Sequence, residues 1–164
     1  MSAQQAPNFS LAHVASGRQV SPGDYRGRTV VYLFAGRDSG DQAGQIAQTI
    51  SGRYGPDQLP IVSVMDMHGV PRLVQGLAKG QIQKAYEEAV QQATAQFQAS
   101  GRVMPSDPSQ VVVMLPDWDG KVTSSFGLSG VDKQAVAVLV DGDGYVRGYG
   151  AGAQGGEQIL SLFG

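Results

Sequence analysis

The sequence predicts a single α/β domain over residues 1–164, built on a central mixed β-sheet flanked by helices and carrying one long inserted helix. Three observations predict it. Strand-like segments alternate with helical patterns, an order that builds a mixed layer structure rather than a bundle or a sandwich. Thr29-Val30-Val31-Tyr32-Leu33-Phe34 is an unbroken run of β-branched, aromatic and aliphatic residues, the signature of a strand buried on both faces. Asp141-Gly142-Asp143-Gly144 separates two apolar segments, and because glycine tolerates positive φ this is a hairpin signal. A chain of this length buries roughly two-thirds of its unfolded surface in one core, and no internal repeat divides it.

In chain order, Asn8 to Val14 and Arg18 to Val20 are short strand candidates on either side of the Ser16-Gly17 turn signal. Ser21 to Tyr25 reads as a one-turn helix or tight loop, and the central strand Thr29 to Phe34 follows. Ala43, Ile46, Ala47, Ile50 and Tyr54 then recur at helical spacing. Asp38 or Ser39 is the expected N-cap of that helix, Asp41 complements its positive end, and Gly55 is the expected stop. Pro60 to Met67 is a second central strand. Ile82, Tyr86, Ala89, Val90, Ala93 and Phe97 predict a long helix from Gln81 to Ser100, with Tyr86 and Phe97 facing the core. The connector Met104 to Pro108 leads to a strand over Gln110 to Leu115. Pro116 to Gly120 is a turn that exposes Trp118, and Lys121 to Phe126 is a short helix. Ala135 to Val140 and Tyr145 to Tyr149 form the hairpin, and a last helix over Glu157 to Phe163 buries Ile159, Leu160 and Phe163.

Composition removes several function classes. With 41% hydrophobic and 16% charged residues and a net charge of -2, the chain lacks the basic excess that nucleic acid attracts. No run approaches the roughly 20 apolar residues a membrane span requires. Met1 to Pro7 has no signal-peptide pattern, so the chain as written is expected in the cytoplasm, and in the periplasm or medium if a signal peptide has been removed. There are 0 cysteines. Disulfides and thiol chemistry by its own side chains are therefore excluded.

Gly17-Arg18-Gln19-Val20-Ser21-Pro22-Gly23-Asp24-Tyr25-Arg26-Gly27-Arg28 leading into Thr29 to Phe34 resembles the opening of redoxin domains, the thioredoxin-like and AhpC/TSA-like proteins. Asp117 to Val122, Phe126-Gly127-Leu128 and Ala137 to Val146 match the order of motifs that close such domains. Within that superfamily the chain is most similar to the cysteine-less YtfJ group, through Phe34-Ala35-Gly36-Arg37-Asp38-Ser39 and the stretch from Asp132-Lys133 to Asp143-Gly144. The resemblance spans about Ala6 to Phe163 and implies a thioredoxin-like fold with the 81–100 helix as an elaboration.

The departures from that pattern bear on chemistry. The Cys-x-x-Cys positions of thioredoxin-like proteins fall on Ser39 and Gln42, and the peroxiredoxin Thr-x-x-Cys pattern puts Gln42 in the peroxidatic place. Neither residue ionises near neutral pH or cycles through oxidised states, as the lost thiolate would. The proline that such domains place before the penultimate strand is replaced by Gln134-Ala135, so a trans peptide is expected there.

Other chemistries rest on few residues. Ser39 with Asp66 and His68 is a superficial triad, against which stands Ser39 as a cap and His68 as a solvated loop residue. His13 and His68 are the only histidines, and the Asp117 to Gly120 and Asp141 to Gly144 turns lack the further ligands of a calcium loop, so neither metal nor cofactor is expected. Arg37 and Asp38 are read either as a surface ion pair with a cap or as an anion- or partner-binding pair. Two functions follow. The first is a redox-inactive module that holds a protein or peptide at the former active-site edge, through Arg37, Asp38, Ser39, Asp41, Gln42, Asp66, His68, Lys133 and Gln134. The second is a small-molecule binder or non-thiol enzyme using polar groups at the same edge.

Overall fold

The computed structural model of the chain describes residues 4–164, so Met1 to Ala3 of the amino-terminal stretch lie outside it. Its centre is β3 (Val30–Ala35), and all six of these residues are buried. The reason is visible in the alternation of side chains. Val30, Tyr32 and Phe34 point into one apolar cluster with Phe9, Tyr25, Val62, Val64, Leu115 and Phe126. Val31, Leu33 and Ala35 point into another with Ile46, Ile50, Leu59, Ile159 and Leu160. A period of two with apolar residues at every position needs cover on both faces, and the fold supplies it.

β3 is hydrogen-bonded in parallel to β4 (Ile61–Asp66) and antiparallel to β6 (Val136–Val140). Beyond them lie β5 (Val113–Asp117), parallel to β4, and β7 (Val146–Ala151), antiparallel to β6, so the mixed sheet runs β5-β4-β3-β6-β7. The helices α1 (Gly40–Ser51) and α4 (Gly155–Phe163) cover the second cluster. On the other face lie the amino-terminal segment, a 3-10 turn at Pro22–Tyr25 and the short helix α3 (Lys121–Ser125). A two-stranded ribbon pairs β1 (Leu11–Ala12) with β2 (Gln19–Val20), much shorter than the 8–14 strand expected.

Three further elements have boundaries that differ from expectation. The long helix α2 (Gln75–Ala99) begins six residues before Gln81. It runs through Gly76 and Gly80, which lie where an added Cβ would meet nothing within 4 Å. Each costs a helix only about 1 kcal/mol against alanine, which the following apolar face offsets. Ala78, Ile82, Tyr86 and Phe97 are buried as the periodicity requires. β5 starts at Val113, because residues Pro108–Gln110 form a 3-10 turn whose Asp107 carboxylate accepts from the Ser109 amide (3.1 Å) and hydroxyl (2.7 Å). The strand then runs through Pro116 to Asp117, where the sequence predicts a turn, and an edge strand tolerates the missing proline N–H. α1 ends at Ser51, before Gly55, and the chain turns there so that Tyr54 packs on Phe163 with ring centroids 4.8 Å apart.

Candidate functional site

The parallel strands β3, β4 and β5 end at one edge of the sheet, and the register Phe34↔Val136 brings the loop before β6 to the same edge. α/β sheets build their sites at such ends. Arg37 to Gln42 leave β3 here and open α1.

Ser39 stands at the N-cap position of α1, yet its side chain makes no cap hydrogen bond. It is 1% exposed. Its Oγ accepts from the Gly36 amide at 3.0 Å and donates to the Val131 carbonyl. The hydroxyl thus ties the end of β3 to the 131–135 loop instead of serving the free amides of the helix. Gln42, one turn on, accepts from the Ala135 amide through Oε1 at 3.0 Å. Between these ties the Asp132 backbone lies directly over Gly36, where an added Cβ would sit 2.6 Å from Asp132 Cα. The two positions that fall on the thiol pattern are therefore spent on closing the loop. Ser39 is also no triad member, because both capacities of its hydroxyl are engaged by backbone.

Most of the remaining sequence-predicted residues face outward. Arg37, Asp38 and Asp41 are exposed, as are Lys133 and Gln134 on the facing loop. Among the described residues Arg37 and Asp38 form no salt bridge, which corrects the expected ion pair, and Asp38 supplies no cap. The peptides of the described residues, including the one at Gln134-Ala135, are all trans.

Asp66 and His68 form a unit of their own at the end of β4. Asp66 Oδ1 is 2.8 Å from His68 Nδ1 and accepts from the His68 amide at 3.1 Å. The hydrogen bond to Asp66, with its charge and more distant help from Asp132 and Asp117, raises the histidine above its ordinary value. Gly120, in the left-handed region at φ 71, makes room for the pair. A Cβ there would lie 2.9 Å from His68 Cβ and 3.1 Å from Asp66 Oδ1.

Two buried polar residues at this edge were missed. Asp117 is 0% exposed and Thr123 2%. Asp117 Oδ2 accepts from the Thr123 amide and hydroxyl, both at 2.9 Å, and Oδ1 from the Val122 amide at 3.4 Å. It satisfies the first turn of α3. The signal is an acidic residue just before a glycine and a short helix, a pattern that also fits a plain turn. Trp118 beside it is only half-exposed, with Lys79 Nζ 6.0 Å from its ring. No group of three or more metal-ligating side chains occurs among the described residues. No helix among them is long and apolar enough to cross a membrane.

No protein-family model matches the sequence, and no curated protein matches it. Solved structures do. The pneumococcal exposed lipoprotein thioredoxin from Streptococcus pneumoniae superposes with a TM-score of 0.63 at 16% identity, over 96% of this chain and 98% of that one. The thioredoxin domain of a thiol-disulfide oxidoreductase from Bacteroides vulgatus gives 0.60 at 13%, over 99% and 98%. A secreted Mycobacterium tuberculosis disulfide oxidoreductase homologous to E. coli DsbE gives 0.55 at 14%, over 94% and 92%. The mixed five-stranded sheet, its two helical layers and these superpositions together make the fold thioredoxin-like, carried by a chain with 0 cysteines.

Proposed function

We propose that the domain is a redox-inactive binding module that holds a protein or peptide along the edge where thioredoxin-like enzymes carry their thiols. The observation that supports this is the division of labour at that edge. Ser39 and Gln42 are turned inward to close the loop, while Arg37 and Asp38 on one segment and Lys133 and Gln134 on the other are exposed. Exposed polar groups on loops held by a rigid scaffold suit recognition of an extended chain. The chain's grouping with the cysteine-less YtfJ proteins belongs to the same proposal, since it rests on the segment that carries these residues. So does an extracytoplasmic setting, which the exposed-lipoprotein and secreted descriptions of two fold neighbours support. The test is selection from a displayed peptide library against the wild type and against a variant carrying Arg37→Ala, Asp38→Ala and Lys133→Ala. The wild type enriches a peptide consensus that the folded variant loses. Equal enrichment by both proteins refutes the proposal. Insulin-reduction and peroxidase assays run alongside give background rates.

The Asp66–His68 pair at 2.8 Å favours a second reading, a binder of small polar ligands or a non-thiol enzyme at the same edge. A ligand of that pair present at a hundred times its dissociation constant adds about 2.7 kcal/mol to stability. Thermal shift across a metabolite panel, repeated with His68→Gln, detects it. A panel that moves neither protein's melting temperature removes this reading.

A further inference from the structure

Single exposed apolar side chains are ordinary on a protein surface, but clusters of them are not. Of the seven large hydrophobic residues exposed among the described residues, Leu73, Val74 and Leu77 fall together, at 97%, 43% and 69% exposure. They stand on the 3-10 turn Arg72–Val74 and the first turn of α2. The core does not use them. Ala78, Ile82 and Tyr86 recur every four residues and are buried, whereas Leu73, Leu77, Gly80 and Lys84 follow at three- and four-residue spacing as a second stripe that is exposed throughout. Gly76 and Gly80 have nothing within 4 Å of where a Cβ would stand, so another backbone can come close beside the leucines.

The charge around this patch has one sign. From Met67 to Tyr86 the sequence has no acidic residue but carries Arg72, Lys79 and Lys84, in a chain whose net charge is -2. All three cations are exposed, and among the described residues none is in a salt bridge. Arg72 and Lys79, two helical turns apart, flank the leucines on one side, and Lys84 lies two turns along the stripe from Leu77. Glu87 and Glu88 come only beyond it.

These two features together select the occupant. Twofold pairing of two copies of this chain at the leucines sets Arg72 and Lys79 of one against the same residues of the other, so like charges oppose it. An anionic bilayer matches the cations, but interfacial binding scales with buried apolar area, and here the apolar face is a single turn. An amphipathic helix with an acidic polar face answers both: its apolar stripe covers Leu73, Val74 and Leu77 while its carboxylates meet Arg72, Lys79 and Lys84.

We propose that the start of α2 is a docking surface for an acidic amphipathic helix of a partner protein. It lies outside the 37–42 and 131–135 segments and does not depend on the reading of that edge. The test is a displayed library of helical peptides of about 15 residues, apolar along one stripe and free elsewhere, selected against the full chain and against Leu73→Ser with Leu77→Ser. Both serines replace exposed side chains, and an unchanged urea midpoint checks that the variant is folded. The wild type enriches peptides of net negative charge, and a synthetic copy of the most enriched one shifts the amide signals of residues 73–84 saturably. The double serine variant, and separately Arg72→Glu with Lys84→Glu, bind that peptide roughly tenfold more weakly or worse. The variant carrying Arg37→Ala, Asp38→Ala and Lys133→Ala binds it as the wild type does. The proposal is overturned if the wild type enriches nothing over the serine variant, if the enriched peptides are neutral or basic, or if the triple variant loses them. A concentration-dependent dimer in sedimentation that Leu77→Ser abolishes overturns it in favour of a second copy. Co-sedimentation with phosphatidylglycerol vesicles that the double serine variant loses overturns it in favour of a membrane.

Discussion

Ser39→Ala tests whether one hydroxyl holds the loop before β6 closed against the end of β3. The change removes the acceptor of the Gly36 amide at 3.0 Å and the donor to the Val131 carbonyl. Val131 is 1% exposed, so its carbonyl cannot recover a partner from solvent without the loop lifting, a penalty of about 1–3 kcal/mol. Gly36 is half-buried and regains part of its loss from water. Because no cap hydrogen bond is lost with the hydroxyl, no capping contribution adds to this. The sum is about 2–3 kcal/mol, which at roughly 2–4 °C per kcal/mol for a chain of this size lowers the melting temperature by about 4–12 °C. Equilibrium unfolding in urea measures it as a fall in the midpoint at unchanged m-value. Hydrogen exchange should speed up at Ala135, whose amide is held by Gln42 on the same loop. A variant within about 0.5 kcal/mol of the wild type, with unaltered exchange in residues 131–135, refutes the closure argument. Ser39→Cys is a companion: sulfur donates weakly and reaches further, so it too destabilises and still yields background insulin reduction.

Four further outcomes are expected. Asp117→Ala strips three hydrogen bonds from the start of α3 and costs about 2–4 kcal/mol in urea unfolding, with Asp117→Asn retaining part of the loss. Gly36→Ala places a Cβ 2.6 Å from the Asp132 backbone, so the loop must shift at a cost of about 1–3 kcal/mol, read from the same assay. His13 is buried, donates through Nε2 to the Val112 carbonyl and accepts from the Ala15 amide at Nδ1, and burial holds it below its ordinary value. Its contribution is complete above about pH 6.5 and is lost as pH falls through the lowered value, so His13→Gln flattens the acid side of the stability profile. His68 has the opposite sign: its pairing with Asp66 stabilises below about pH 6.5 and fades as pH rises through the raised value. Asp66→Asn moves its proton-NMR titration midpoint back down.

The sheet was legible because its strands speak in burial. Thr29 to Phe34 has apolar residues on both faces, and only a central covered strand accommodates that, so β3 lies within one residue of expectation. The hairpin was legible for a different reason, since Gly144 does adopt a positive φ of 89. Edges were harder. Val111 and Val112 carry the β-branched signal of a strand, but Asp107 and Pro108 set a 3-10 turn just before them, and local side-chain capping overrides propensity there. The start of α2 was hidden because Gly76 and Gly80 lie on its exposed surface, where helix propensity is a weak guide and packing does not decide.

At the site, residue types were readable and directions were not. Ser39 is a natural cap by propensity, and that expectation fails because a three-dimensional neighbour, the Val131 carbonyl 92 positions away, competes for the same hydroxyl. A catalytic thiolate at this place needs solvent access and the field of the helix amides. A serine hydroxyl both donates and accepts, so it satisfies two backbone groups at once and closes what a thiolate must keep open. Replacing sulfur by oxygen here therefore changes shape as well as reactivity. With Ser39 and Gln42 bonded inward, the exposed polar surface at this edge is that of Arg37, Asp38, Lys133 and Gln134, and cysteines introduced at the two inner positions are expected to give only background insulin reduction.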